Sequence, residues 1–103
     1  MKNIISNINK AFDHRIRLGI MSVLMVNEYA DFKTLKELLG ATDGNLASHT
    51  KALEKQKYIK VEKSFIDRKP NTRYIASDKG RKAFQDHLDA LEKLLNSKNE
   101  LKN

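Results

Sequence analysis

Apolar residues recur at helical spacing in four stretches of the chain and alternate with polar ones in another. Between about Ile8 and Asn27, Phe12, Ile16, Ile20, Val23 and Leu24 line one face, and Leu18, Met21 and Met25 line another. A helix that is apolar nearly all round is buried on more than one side, so this stretch predicts a central helix, with Asn7 as its N-cap. Leu35, Leu38 and Leu39 predict a short helix over 33–39 that closes at Gly40, a residue suited to a left-handed C-cap. Leu46, Thr50 and Leu53 stand at i, i+4 and i+7 and predict an inward face for a helix over 43–56. Thr42 is placed to cap that helix, and Asp43 suits the positive end of its dipole. The last stripe, Phe84, Leu88, Leu91 and Leu95 with Ala83 and Leu94 beside it, predicts a helix over 78–96 opened by Ser77.

Ile59, Val61 and Phe65 alternate with polar residues, as a half-buried strand requires. Asp67–Asn71 reads as a turn containing the only proline, Pro70, and 72–76 as the return strand, with Tyr74 and Ala76 on one face and Ile75 on the other. A loop over 27–31 leads into a short edge strand at 30–32, and the polar end SKNELKN is expected to fray. The sum is a mainly α domain with a small β-hairpin, α+β in class, of about four to five helices, forming one domain over 1–103. Residues 33–57 have a more specific pattern: a short amphipathic helix, a tight turn with Gly40, and a second helix whose outward face is polar and basic. That is a helix-turn-helix, whose second helix is the one built to enter a DNA groove. The basic hairpin that follows makes it a winged helix-turn-helix.

Charge sharpens this picture. The formal net charge is +7, of which residues 42–77 carry +4, against +2 for 1–41 and +1 for 78–103. More than half the excess therefore lies on the expected recognition helix and wing. Neutralising phosphates supplies most sequence-independent affinity for DNA. The chain has 103 residues, 40% of them hydrophobic, enough for one small core that a partner subunit would help to bury. It has no cysteine, which excludes disulfides, thiolate metal sites and a Cys nucleophile. No apolar run is long enough to cross a bilayer, and MKNIISNINK is not a signal peptide, so a cytoplasmic protein is expected.

Three segments resemble MarR/ArsR-like winged-helix regulators: DHRIRLGIMSVLMVNE their opening helix, DFKTLKELLGATDGNLASHTKALEKQKYIKVEKSF their helix-turn-helix and first wing strand, and DRKPNTRYIASDKGRKAF their wing and the start of their last helix. The resemblance covers roughly residues 12–95. Single motifs within it are weak, but their order and spacing are specific. It implies a dimeric transcriptional regulator on a pseudo-palindromic operator. It also implies that Asn45, Ser48, His49 and Lys51 lie at or near the major groove, and that Arg68, Lys69 and Arg73 lie along the wing near the minor groove or its phosphates. The chain departs from the pattern at three places. Lys57 stands where Gly is usual, so either a non-Gly residue is left-handed there or the helix ends differently. Thr50 replaces a usual Leu, and Arg15 a common Pro.

The residue chemistry agrees with these roles. Asn45 and Ser48 can hydrogen-bond base edges, and Asn can pair bidentately with adenine. Lys51 and Lys55 suit phosphates better than bases. Arg68 and Lys69 at a hairpin tip suit a narrow minor groove. Thr42 completes the DNA-facing set. The leucine stripe Leu88, Leu91, Leu94 and Leu95 has no evident cover within one copy. Together with Ile4, Ile5, Ile8 and Phe12 near the N-terminus, it is expected to pack against a second copy. His14, His49 and His87 lie on three different expected helices with no metal-ligand spacing. His87, with Asp86, is expected either at the dimer interface or simply exposed. No Gly-rich phosphate loop, HExxH or GxSxG occurs, so neither an enzyme nor a cofactor is expected. Nothing names an effector ligand. The rival reading is a winged-helix protein–protein interaction module without DNA binding, which the basic helix face disfavours.

Overall fold

The structure, a computed structural model, describes residues 5–96. The single long first helix expected from the apolar pattern is in fact two pieces. A 3-10 turn, Lys10–Phe12, is capped by Asn9, whose side chain accepts from the Ala11 N–H at 2.9 Å. Helix α1, Arg15–Val26, starts afresh because His14 is extended and its Nδ1 accepts the Ile16 N–H at 3.1 Å. Two short-range caps thus compete for the backbone and break the helix at Asp13–His14. Asn7, expected as the cap, lies outside both pieces in a turn.

Strand β1 (Ala30–Asp31) leads directly into α2 (Phe32–Leu39), whose first turn is capped by Asp31 through the Thr34 N–H at 2.8 Å. Those bonds to Thr34 hold the Asp31 carboxyl below its ordinary pKa. Gly40 is left-handed at φ 59°, as a C-cap glycine should be. Helix α3 (Asp43–Lys55) follows, then strands β2 (Ile59–Ile66) and β3 (Lys69–Ala76), and helix α4 (Asp78–Leu95). The three strands form an antiparallel sheet in the order β1-β3-β2.

The core gathers Phe12, Ile16, Ile20, Met21 and Leu24 with Leu35 of α2, Leu46 and Leu53 of α3, Ile59, Tyr74, Ala76 and Phe84. Burying each large side chain stabilises the fold by roughly 1.5–3 kcal/mol, so this cluster is what fixes α3 on α1 and α2. Thr50, in place of the usual Leu, is buried too. Its hydroxyl donates to the Ala47 carbonyl at 3.1 Å, which satisfies it without another helix. Arg81 of α4 reaches the C-terminal end of α1 and donates to the Met25 and Leu24 carbonyls at 3.2 and 3.3 Å. A cation there meets the negative end of the helix dipole.

Two faces differ from expectation. The inward face of α4 is Gly80, Phe84, His87 and Ala90. Leu88 is 39% and Leu95 83% exposed, while Leu91 and Leu94 are half-buried. His87 is neither at the surface nor exposed. It is 4% accessible, its Nδ1 accepts the Asn9 N–H at 3.0 Å, and its ring lies 5.3 Å from that of Phe12. Phe12, expected at a dimer interface, is 3% exposed and packs inside its own chain, against Tyr58, Phe84 and His87. Ile5 is exposed and Ile8 half-buried; Ile4 and the SKNELKN end lie outside the described residues. Among the described residues, no helix is long and apolar enough to cross a membrane.

Candidate nucleic-acid interface

Helix α3 begins where Thr42 Oγ1 accepts the Asn45 N–H at 3.2 Å. The Thr42 side chain is therefore engaged as a cap as well as exposed. Lys36 of α2 and Asp43 of α3 pair at 2.9 Å across the turn, Asp43 largely in solvent and Lys36 half-buried. Such a pair contributes about 1 kcal/mol at most. With Leu46, Thr50 and Leu53 turned inward, Asn45, Ser48, Lys51 and Lys55 are all exposed, as the helical spacing predicts.

The helix ends at a non-glycine left-handed residue. Lys57 has φ 64°, its N–H donates to the Glu54 carbonyl at 2.8 Å, and the Tyr58 N–H donates to the Leu53 carbonyl at 3.0 Å. These two bonds are the 5→2 and 6→1 bonds of a Schellman motif, so a lysine here holds the left-handed position that glycine most often takes. The motif sets the direction in which the chain leaves α3 and enters β2.

The hairpin β2–β3 is longer and tighter than the expected five-residue turn. Ile66 pairs with Lys69, leaving only Asp67 and Arg68 in the connection, at φ 51° and 65°. Two successive positive φ values define a type I′ turn, whose twist matches that of the strands. Pro70 lies in β3 opposite Phe65. The pair flanking a two-residue turn exchanges the hydrogen bonds, so Phe65 and Pro70 form a non-bonded pair and the proline nitrogen faces away from β2. Asp tolerates the left-handed region, but Arg68 occupies a position that Gly would fill with less strain. A cationic side chain is thereby held at the wing tip, with Lys69 beside it, both exposed. Phe65, expected to be half-buried, is 75% exposed because the hairpin carries it beyond the core.

Arg73 has a different environment. Its guanidinium lies 3.9 Å from the centre of the Tyr29 ring, and Nη2 meets Glu62 Oε1 at 3.3 Å. It braces the base of the wing, against the loop before β1. By contrast Lys51, Lys55, Arg68 and Lys69 have no acidic partner within 4.0 Å among the described residues.

His49 is half-buried on the flank of α3 and faces α1. Its Nδ1 accepts from Arg17 Nε at 3.0 Å, and its ring lies 4.0 Å from that of His14. Burial, then the nearby His14 and Arg17, push its pKa below the ordinary 6.5. The sequence pattern places these two histidines on separate elements and offers no local sign that they meet. Among the described residues, no group of three or more His, Cys, Asp or Glu is placed to hold a metal ion.

The chain and its fold are similar to those of known proteins. A family profile described as a winged helix DNA-binding domain matches residues 16–95. An uncharacterized protein of Methanocaldococcus jannaschii is 38% identical over 79 residues, which is 77% of this chain and 86% of that protein. The solved structure of a transcriptional regulator homologue from Pyrococcus horikoshii OT3 superposes with a TM-score of 0.81 at 30% identity, covering 91% of both chains. NadR, solved in complex with 4-hydroxyphenylacetate, shares the fold with a TM-score of 0.65 at 19% identity, over 97% of this chain and 68% of its own.

Proposed function

The chain belongs to the winged helix DNA-binding domain family, and on that premise we propose that it is a sequence-specific, double-stranded-DNA-binding transcriptional regulator, acting in the cytoplasm as a homodimeric repressor and not as an enzyme. The observation that carries this reading is the polar outward face of α3 together with the cationic tip of the hairpin that follows it, with four cations that no described carboxylate neutralises. In this reading α3 lies in the major groove, about 12 Å wide and so able to admit one helix. Asn45 and Ser48 address base edges there, while Lys51 and Lys55 hold phosphates. Arg68 and Lys69 follow the adjacent minor groove. Thr42 sits at the end of α3 nearest the backbone, and Arg73 serves by bracing the wing.

The exposed Leu88 and Leu95 and the half-buried Leu91 and Leu94 give α4 an apolar strip for a second copy, to which Ile5 and Ile8 near the N-terminus would add apolar surface. A two-fold pair would set two recognition helices about 34 Å apart, one DNA turn. Occupying an operator in that way blocks a promoter.

Fluorescence anisotropy with duplex DNA of random and of selected sequence tests the reading. Affinity is expected to fall steeply with salt, and Lys51→Gln or Arg68→Gln to reduce the logarithmic slope by about 0.9 each. A flat salt response overturns DNA binding. A monomeric mass in solution overturns the dimer and leaves DNA binding standing.

A further inference from the structure

The contact between α1 and the flank of α3 brings together three groups that the recognition face does not use. Arg17 Nε donates to His49 Nδ1 at 3.0 Å, and the Ile16 N–H donates to His14 Nδ1 at 3.1 Å. In each neutral ring the proton then sits on Nε2, because the other nitrogen is acting as an acceptor. The two rings lie 4.0 Å apart with an interplanar angle of 33°. The terminal nitrogens of Arg17 have no carboxylate within 4.0 Å among the described residues. What the cluster presents outward is therefore two imidazole N–H groups and the end of a guanidinium. All are donors, and none has a compensating negative charge. The charged and titratable groups facing His49 are His14 and Arg17, both from α1; Asp13 and Arg15 flank His14 in sequence and are exposed.

We infer that His14, Arg17 and His49 form an anion site that takes a phosphodiester of the DNA backbone at the edge of the groove occupied by α3. The inference rests on the DNA-binding reading and adds a contact to it. His49 follows Ser48 directly, so it is turned by about 100° from Ser48 on the outward face onto the half-buried flank of the helix. A helix about 10–12 Å across nearly fills a groove of about 12 Å, so its flanks meet the sugar–phosphate walls rather than the base edges. His49 thus acts on the backbone, together with two residues of α1, and not on the bases. A phosphate also supplies the negative charge that the Arg17 guanidinium has no carboxylate to provide. Both rings serve as neutral donors through Nε2, because each Nδ1 is already occupied as an acceptor.

The test uses the full chain and fluorescein-labelled duplexes, of random sequence and of a selected operator, titrated between roughly 50 and 200 mM salt. Arg17→Gln is expected to weaken binding to both duplexes by about tenfold and to lower the salt slope by about 0.9, with Arg17→Lys restoring the slope. His14→Asn keeps an N-cap residue while removing a ring; combined with His49→Ala it is expected to weaken binding to both duplexes severalfold, because two N–H donors to the phosphate are lost. Thermal melts establish that each variant folds. An unchanged slope in Arg17→Gln, where the wild type binds DNA with a steep slope, overturns the phosphate site and leaves the DNA-binding reading intact. So does a loss confined to the selected operator, which would mark base readout. A wild type that binds neither duplex overturns both.

Discussion

Gly80 lies at the start of α4 so close to the end of α3 that a single methyl group tests the whole joint. A Cβ added there would come within 1.9 Å of the Tyr58 carbonyl oxygen, 2.7 Å of its carbonyl carbon and 2.9 Å of its Cα. All three are main-chain atoms, so no rotamer change relieves the clash, and the first turn of α4 must retreat by more than an ångström to restore even a 3.0 Å contact. That oxygen already accepts the Ser77 N–H at 3.0 Å, and Ser77 Oγ donates to the Lys57 carbonyl at 2.6 Å while accepting the Gly80 N–H at 2.9 Å. Retreat therefore strains the cap of α4 and the exit from α3 together. Overpacking of this kind costs about 1–3 kcal/mol. Losing one or two of the hydrogen bonds adds about 1 kcal/mol each. The helix propensity of Ala returns at most about 1 kcal/mol. Gly80→Ala is expected to destabilise the protein by about 1–4 kcal/mol, read as a lower urea midpoint at unchanged m value and fixed protein concentration. Gly44→Ala is the comparison: nothing lies within 4 Å of its added Cβ, so it should be neutral or stabilising by up to about 1 kcal/mol. A loss below about 1 kcal/mol at Gly80 would refute the close-approach reasoning.

Lys57→Gly relieves a left-handed lysine at φ 64° and should stabilise the fold by about 0.5–1 kcal/mol, after allowing for the freer unfolded chain; a drop in urea midpoint would contradict this. Arg68→Gly relieves similar strain at φ 65° and should also raise thermal stability while weakening DNA affinity; concerted loss of both would show that Arg68 supports the hairpin rather than the contact. His87 is held neutral by burial, which pushes its pKa below 6.5 more strongly than Asp13 raises it. The unfolded chain therefore binds protons near pH 6.5 that the native chain refuses. Stability is complete above that pH and is lost as the pH falls through it, with His49 contributing in the same direction. His87→Gln should flatten this acid limb, and urea midpoints that stay level for the wild type between about pH 7 and pH 5 would count against a neutral buried His87.

The sequence determined by itself whatever depends on atoms a few residues apart. Thr42, Ser77 and Gly40 mark helix ends because capping bonds span about three residues, and the structure has each cap in place. Leu46, Thr50 and Leu53 settle which face of α3 is turned inward, and so which polar residues are left outside, through the 3.6-residue period alone. At two points short-range signals competed: Asn9 and His14 each offered a cap inside what reads as one apolar helix, and the hairpin closed at Asp67–Arg68 although Pro70 resembles a turn residue. Only tertiary packing decided that His14 and Arg17 meet His49, that Arg73 stacks on Tyr29, and that His87 faces inward to Asn9. Those partners are far apart along the chain, and whether they meet depends on how one element rests on another. Helical periodicity limits a side chain to a face, but the element covering that face is chosen by the shared burial of the whole core.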